Sequence, residues 1–520
     1  MFIFFNNIHF EYYFFNNVYI ESFFIKSSWL FEFFPEMILT FFILYNLISI
    51  FNDSNKTFFQ YYRWFFIFIF IFFILILKII FYKWVPTQII LGFSWINCFY
   101  IITSKLIVIS LTILVFWMSK NKLKNSIFLN SIIEFPLIIS FSLLFMFLLT
   151  SSYDFFGVYL TIEGLSLTLY ILGSITYQSI ISIEGVLKYF SLGAISSGIL
   201  LFGISILFGI VGSLDFLAIQ LFLNSSQILL HYLEIKLSIL FLCIGFFFKI
   251  SAFPFHIWIA DVYEGVWTPI TAFFAIVIKV CLVLFFLRLT FNVLFNILFS
   301  FQSIFSFSAI GSICFGALGA IKQIRIKRFI AYTSINQIGF ILLGISSCNF
   351  IGLVSSIIYI ILYSIMSIIF FTLLLNTEHL INKRNMIYLS DLYSLSLYNN
   401  DNSKYLIVTI LSMAGLPPLA GFFGKLFLYF SVIEARLDLL LMISLLISVI
   451  STYYYLSFVR YIVFEKLYNY KLYYFIKKNK FNIIINLFSF FIISFSIYLP
   501  YIFSLVTSLA LSCIWPLIWF

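Results

Sequence analysis

Charge is the scarcest thing in this chain. Only 9% of its 520 residues are Asp, Glu, Lys or Arg, against roughly 25% in a soluble domain, so it could not cover its apolar surface in water. Histidine occurs four times and cysteine six. The cysteines, at 98, 243, 281, 314, 348 and 513, are scattered without a C-x-x-C pair, which argues against a disulfide framework, an iron–sulfur cluster or a zinc site. No Ser-His-Asp arrangement, glycine-rich phosphate loop or metal-ligand spacing is present. Hydrolysis, nucleotide binding and redox chemistry have no residues here to carry them, and no bound metal or cofactor is expected.

What the chain does have is apolar. Hydrophobic residues make up 63%, with 74 Phe, and runs such as Trp64–Ile80, Phe141–Thr150 and Leu439–Ile450 are nearly free of charge. The solvent must be a bilayer, in which each spanning stretch is about 20 apolar residues folded as a helix. The expected fold class is an all-α polytopic membrane protein. The excess of Phe, Ile, Leu, Tyr, Asn and Lys reads as AT-rich codon usage and points to an organelle genome. Residues 1–34, with Glu11, Glu21, Glu32 and one Lys, match neither an Arg-rich, acid-poor transit peptide nor a signal peptide.

Apolar runs between polar or Gly/Pro breaks predict about fourteen helices, near 35–51, 63–82, 98–118, 132–150, 154–177, 184–210, 235–258, 269–290, 297–320, 327–347, 350–375, 405–430, 438–463 and 483–508. A segment at 216–230 is too short and polar to count. The loops test the number. Those after the third, ninth, eleventh and thirteenth helices carry sixteen basic residues: Lys120, Lys122, Lys124; Lys322, Arg325, Lys327, Arg328; Lys383, Arg384, Lys404; Arg460, Lys466, Lys471, Lys477, Lys478, Lys480. The loops after even-numbered helices offer four: Lys83, Lys236, Arg288 and Arg436. The odd loops therefore face the matrix or cytoplasm, with both termini opposite. A basic excess of +10 placed this way is no sign of nucleic-acid binding.

Two apolar segments are interrupted by proline, at Phe253-Pro254-Phe255 and at Gly415-Leu416-Pro417-Pro418-Leu419. Pro254 and Pro417 are 163 residues apart, with five helices from the start of one unit to the next. An odd number inverts the second unit in the bilayer, and paired Pro-interrupted segments are a pointer to an ion site. Prolines are also simply common in membrane helices. The expected organisation is an N-terminal extension (1–34), a three-helix segment (35–131), two inverted five-helix units (132–295 and 296–464) and a basic loop with a final helix (465–520).

An ionisable group at mid-bilayer costs roughly 2.5–3.5 kcal/mol on insertion scales, which makes it a functional-site candidate. Those remaining after the loops are set aside are Glu163, Lys188, Lys249, His256, Lys279 and Lys425. Each has a plainer reading. Glu184 and Lys188 have helical ion-pair spacing, Lys188 can snorkel to the headgroups, and His256 can be a satisfied interfacial histidine. Lys279 is too deep to snorkel easily. Burial disfavours the charged form of an acid or a lysine, and an opposite charge nearby favours it. A buried lysine whose acidic partner moves away can thus release a proton and regain it later, while proline breaks expose carbonyls and admit water.

Four motifs carry a resemblance. Glu184-Gly-Val-Leu-Lys-Tyr-Phe through Gly203, Phe248-Lys-Ile-Ser-Ala-Phe-Pro-Phe-His through Gly265 with Thr268–Phe274, Ile326–Ser334, and Leu411–Lys425 resemble the antiporter-like subunit 2 family of complex I, the proton-pumping NADH dehydrogenase. Pro35-Glu36-Met37 is similar to that family's first-helix opening, and the likeness runs from about 35 to 465. The resemblance implies fourteen helices with two inverted units, and proton handling at Glu163, Lys188, Lys249, His256, Lys279 and Lys425. Glu163 would partner a lysine of its own half, Lys279 would link the halves and Lys425 would face the exit. It also implies neighbouring membrane-arm subunits and lipids as partners, redox cofactors and ubiquinone held by other subunits, and residence in the mitochondrial inner membrane. Where relatives often carry histidine this chain has Gln337, which hydrogen-bonds but does not titrate. A multi-subunit cation/proton antiporter is the alternative, and a membrane spacer that transports nothing is a third reading.

Overall fold

The computed structural model describes residues 33–52, 57–81, 88–90, 94–125, 131–176, 179–225, 231–376, 387–392, 400–464 and 482–514. Seventeen helices are used below: α1 Phe34–Asn52, α2 Thr57–Phe81, α3 Phe99–Asn125, α4 Ser131–Ser151, α5 Phe155–Ser174, α6 Ile180–Val211, α7 Phe216–Asn224, α8 Tyr232–Ile250, α9 Trp258–Gly265, α10 Thr268–Val293, α11 Phe295–Ile321, α12 Ile326–Ser346, α13 Phe350–Asn376, α14 Asn400–Ala414, α15 Ala420–Glu434, α16 Asp438–Val463 and α17 Asn482–Ile514. Eleven helices among the described residues are long and apolar enough to cross a membrane. The shorter apolar α1 and the interrupted segments α8–α9 and α14–α15 complete the expected fourteen crossings. The segment left uncounted is α7, a nine-residue helix too short to span. The all-α expectation needs one small addition: a hairpin of β1 (Gln88–Ile90) and β2 (Trp95–Asn97) between α2 and α3, with Ile89 opposite Ile96.

Contacts between loops fix which ends share a face. Trp95 bridges Ser152, and Asp154 bridges Asp215, so the connections after the second, fourth and sixth crossings meet on one side, the even face. The Asn292 amide donates to the carbonyls of Cys513 and Ile514, putting the end of α17 there, and Phe33 packs edge-on against Trp95, putting the start of α1 there too. On the opposite, odd face, Arg325 bridges Tyr388, joining the connections after the ninth and eleventh crossings. This matches the charge-parity reading. Lys383, Arg384 and Lys466 through Lys480 lie outside the described residues, as do nearly all of residues 1–34.

Both interruptions are real. The helix α8 closes at Ser251, which takes a left-handed conformation (φ 63°), and α14 closes at Gly415 (φ 86°), the usual way to end a helix. Pro254, Pro417 and Pro418 all lie in the non-helical turns that follow, where a missing N–H costs no helical bond. The second break leaves no room beside it. A Cβ on Gly421 would stand 1.7 Å from the Ser412 carbonyl oxygen, a backbone atom that cannot rotate away. We expect Gly421→Ala to destabilise the subunit by about 1–3 kcal/mol, the range for forced overpacking, read as a lower midpoint for loss of the assembled complex on heating.

Candidate functional site

The site is built around α10, the most enclosed of the long apolar helices, buried from Pro269 to Val293. Lys279 is its eleventh step from the odd end and is 2% exposed. Directly before it, Phe274–Ile278 forms a wide i→i+5 turn, a feature frequent at functional positions because it leaves the helix ladder locally loosened. The Lys279 Nζ donates to Ser334 Oγ on α12 at 2.8 Å, and the Tyr263 ring stands 5.6 Å away. No carboxylate pairs with it among the described residues. Ser334 in turn donates to the Ala331 carbonyl at 2.6 Å.

Lys425 is placed by the second break. Five residues into α15, its Nζ donates at 2.8 Å to the Ala414 carbonyl, one of the acceptors that ending α14 sets free. Its stem lies against Gly415, where a Cβ would meet Lys425 Cδ at 2.9 Å. The left-handed backbone and the lysine thus both require glycine there. Between Lys279 and Lys425 runs a set of hydroxyls and amides. Gln337, one turn beyond Ser334, accepts from the Tyr359 hydroxyl and donates to the Tyr455 hydroxyl at 3.1 Å. The Tyr359 ring packs on Gly424 beside Lys425. A small cleft with room for about one water adjoins them, lined by Thr333, Gln337, Tyr363, Ser367 and Tyr455.

The first break holds Lys249 as the penultimate residue of α8, 6% exposed. Its Nζ has no hydrogen-bond partner among the described residues. Glu163, half-buried in the middle of α5, is the carboxylate whose charge bears on it. Glu163 Oε2 accepts from Ser166 Oγ at 3.3 Å, and Oε1 is buried without a partner among the described residues. The pair is therefore poised within electrostatic range but not joined.

Lys188 and His256 stand apart from this set. Lys188 is 44% exposed and pairs with Glu184 at 2.6 Å and Asp261 at 2.8 Å, so the helical-pair reading describes its geometry, and no contact joins it to Glu163. Its two acids hold it near the odd end of α6. His256 sits in the break turn between the rings of Phe253 and Phe315; among the described residues its buried Nδ1 has no partner and no hydrogen bond links it to a lysine.

Five charged side chains, in three places, escaped the sequence reading. Glu36 on α1 and Lys105 on α3 form a buried pair at 2.6 Å, 5% and 2% exposed, and Asn97 also accepts from Lys105 at 3.2 Å. Glu36 was visible only as part of a helix opening, and Lys105 sat unremarked inside a predicted span. On the odd face Asp261 and Glu264 tie α9 to α12. Asp261 accepts from Lys188 and from Arg328 (3.3 Å), and Glu264 pairs with Arg325 and Arg328. Arg288, counted as a loop charge although it lay within the predicted helix 269–290, is 3% exposed inside α10, which runs on to Val293.

Comparison with known proteins gives this arrangement a family. The family described as NADH:quinone oxidoreductase/Mrp antiporter, transmembrane, matches residues 152–451. The chain is 41% identical over 343 residues to NADH-quinone oxidoreductase subunit N of Pelagibacter ubique, covering 65% of this chain and 71% of that one. The chain belongs to the NADH:quinone oxidoreductase/Mrp antiporter family, in its subunit N branch. It is also 38% identical over 332 residues to NADH-ubiquinone oxidoreductase chain 2 of Marchantia polymorpha, covering 62% and 65% of the two chains. Among solved structures it is similar in fold to a chain of respiratory complex I from Thermus thermophilus with bound aureothin (22% identity, TM-score 0.71, 92% and 97% of the two chains covered). It is equally similar in fold to a chain of the Mrp complex from Dietzia sp. DQ12-45-1b (15% identity, TM-score 0.78, 93% and 98% covered). The fold is thus shared with chains of both complexes, and the sequence identity to subunit N marks the branch.

Proposed function

We propose that this chain is the antiporter-like, proton-translocating subunit in the membrane arm of a complex-I-type NADH:quinone oxidoreductase, driven by electron transfer in other subunits. One observation carries the reading: Lys249, Lys279 and Lys425 are 6%, 2% and 5% exposed, in a bilayer-spanning fold, and none forms an ion pair with a carboxylate among the described residues. Fixed structural cations would be expected in pairs, since an unpaired buried charge is costly. Lysines held by a hydroxyl, a carbonyl or nothing can lose and regain a proton at small cost. A neutral Lys279 amine can still donate an N–H to Ser334 Oγ, whose own proton is given to the Ala331 carbonyl, so the contact survives both states of Lys279.

In this reading a proton passes from Lys249, whose charge Glu163 modulates, to the central Lys279. It goes on through Ser334, Gln337, Tyr359 and water in the adjoining cleft to Lys425, which hands it to the exit. Gln337 serves as an amide link between two tyrosine hydroxyls. Lys188 with Glu184 and Asp261 forms the charged odd-face entry, and His256 lines the first break. The units 132–295 and 296–464 are the two inverted halves, with 1–34 and 465–520 as additions. Its partners are neighbouring membrane-arm subunits and lipids. The chain itself holds no redox centre. The AT-rich composition favours an organelle-encoded, mitochondrial inner-membrane protein.

A multi-subunit cation/proton exchanger is the competing reading, because the fold serves both. The 41% identity to a subunit N favours the first. Native-gel electrophoresis of solubilised membranes separates them. Co-migration of this chain with NADH-oxidising activity is the expected result; migration with an exchanger lacking that activity would reverse the assignment.

A further inference from the structure

One buried cation has no part in the proposed relay. Arg288 is 3% exposed. Its Nη1 donates to the Thr150 carbonyl at 2.6 Å, its guanidinium lies 5.9 Å from the Tyr153 ring, and Nη2 has no hydrogen-bond partner among the described residues. No ion pair reaches it among the described residues. A guanidinium does not deprotonate in a protein, so this is a permanent positive charge in a low-dielectric setting. Bonding a single carbonyl is little reason for it, because a neutral amide would do the same without the desolvation cost.

Its position supplies the reason. Arg288 follows Lys279 by nine residues on the same helix, about 13 Å toward the even face at 1.5 Å per residue. Beyond it, Leu289–Val293 is a second wide turn, and Asn292 pins the end of α17 over this helix end through the Cys513 and Ile514 carbonyls at 3.0 and 3.2 Å. A proton on Lys279 that moved along its own helix toward the even face would meet first a fixed positive charge and then a closed end. Fixed cations exclude protons from hydrated pores by the same electrostatic means.

We propose that Arg288 is a proton-excluding barrier that seals the even-face end of α10 and commits the proton on Lys279 to the lateral step through Ser334 into the second unit. The inference rests on the proton-translocating reading above. Arg288 touches no reacting group and acts by positioning charge.

The test uses the intact complex in sealed vesicles carrying Arg288→Gln, Arg288→Met, Arg288→Lys or Asn292→Ala. Two quantities are read: passive proton conductance without turnover, and protons moved per NADH oxidised. The neutral variants should leak several-fold more than the parent and move fewer protons per NADH at an unchanged oxidation rate. Arg288→Lys should stay tighter than either, and Asn292→Ala, which loosens α17 while keeping the charge, should stay as tight as the parent. Tight vesicles with a normal ratio in the neutral variants would overturn the proposal. So would an Asn292→Ala leak equal to theirs, or neutral variants that fail to assemble while Arg288→Lys assembles, since both make Arg288 a structural tie. Lys279→Met in the parallel preparation keeps the two claims separate: if it loses pumping, the translocation reading stands whatever Arg288 does.

Discussion

Replacing Lys279 by methionine should abolish proton flux through this subunit while leaving the complex assembled. Methionine fills nearly the same volume, so the enclosed α10 needs no repacking. It also removes a buried ammonium whose one hydrogen bond among the described residues is to Ser334, and so relieves a desolvation cost. Ser334 keeps its bond to the Ala331 carbonyl at 2.6 Å and is not orphaned. What disappears is the titratable stage between the two units. A positioned proton-transfer group contributes on the order of 10²–10⁴ in rate, and flux should fall by at least the lower figure. Native gels and NADH-oxidation measurements on the same preparation check assembly. Loss of the subunit from the complex would point instead to a structural lysine.

The second large effect is on stability, at the pair formed by Glu36 and Lys105. Glu36→Gln leaves the Lys105 ammonium buried with only neutral acceptors, Asn97 among them at 3.2 Å. Breaking a buried ion pair from one side costs about 3–5 kcal/mol, a large share of a subunit's margin. Replacing both partners by apolar residues is often neutral or favourable. We therefore expect Glu36→Gln to deplete the assembled subunit strongly, and Glu36→Met combined with Lys105→Met to recover it. Recovery would make the pair a tie between α1 and α3 near the even face. Failure of the double variant to recover would assign the charges a role beyond holding those helices.

The fold was legible in sequence to the extent that it depends on local pattern. Apolar run length, loop charge parity and two proline breaks were enough for fourteen crossings and for the placement of Pro254, Pro417 and Pro418. The deep cations Lys249, Lys279 and Lys425 were legible too, because a lone charge within an apolar run has few explanations. Pairings across the fold were not. Glu36 and Lys105 lie 69 residues apart, Lys188 and Asp261 are 73 apart, and nothing local says that they meet. The Lys188 case shows the consequence: its helix spacing to Glu184 was visible, whereas the Asp261 contact that draws it to the odd face was not. Arg288 lay two residues inside the predicted helix end at 290 and was counted with the adjoining loop; only the continuation of the helix to Val293 shows that its charge is buried. The Gln337 substitution was noticed, yet only the structure shows its amide wedged between Tyr359 and Tyr455.

The most direct test of proton carriage by the buried lysines is Lys279→Arg in complexes reconstituted into sealed vesicles, with proton uptake measured against NADH oxidised. Arginine keeps the positive charge and can still donate to Ser334, but it does not deprotonate. If Lys279 carries protons, Lys279→Arg should pump as poorly as Lys279→Met although the complex is assembled and oxidises NADH. Normal pumping by Lys279→Arg would show that the site needs only a fixed charge, and would contradict the account.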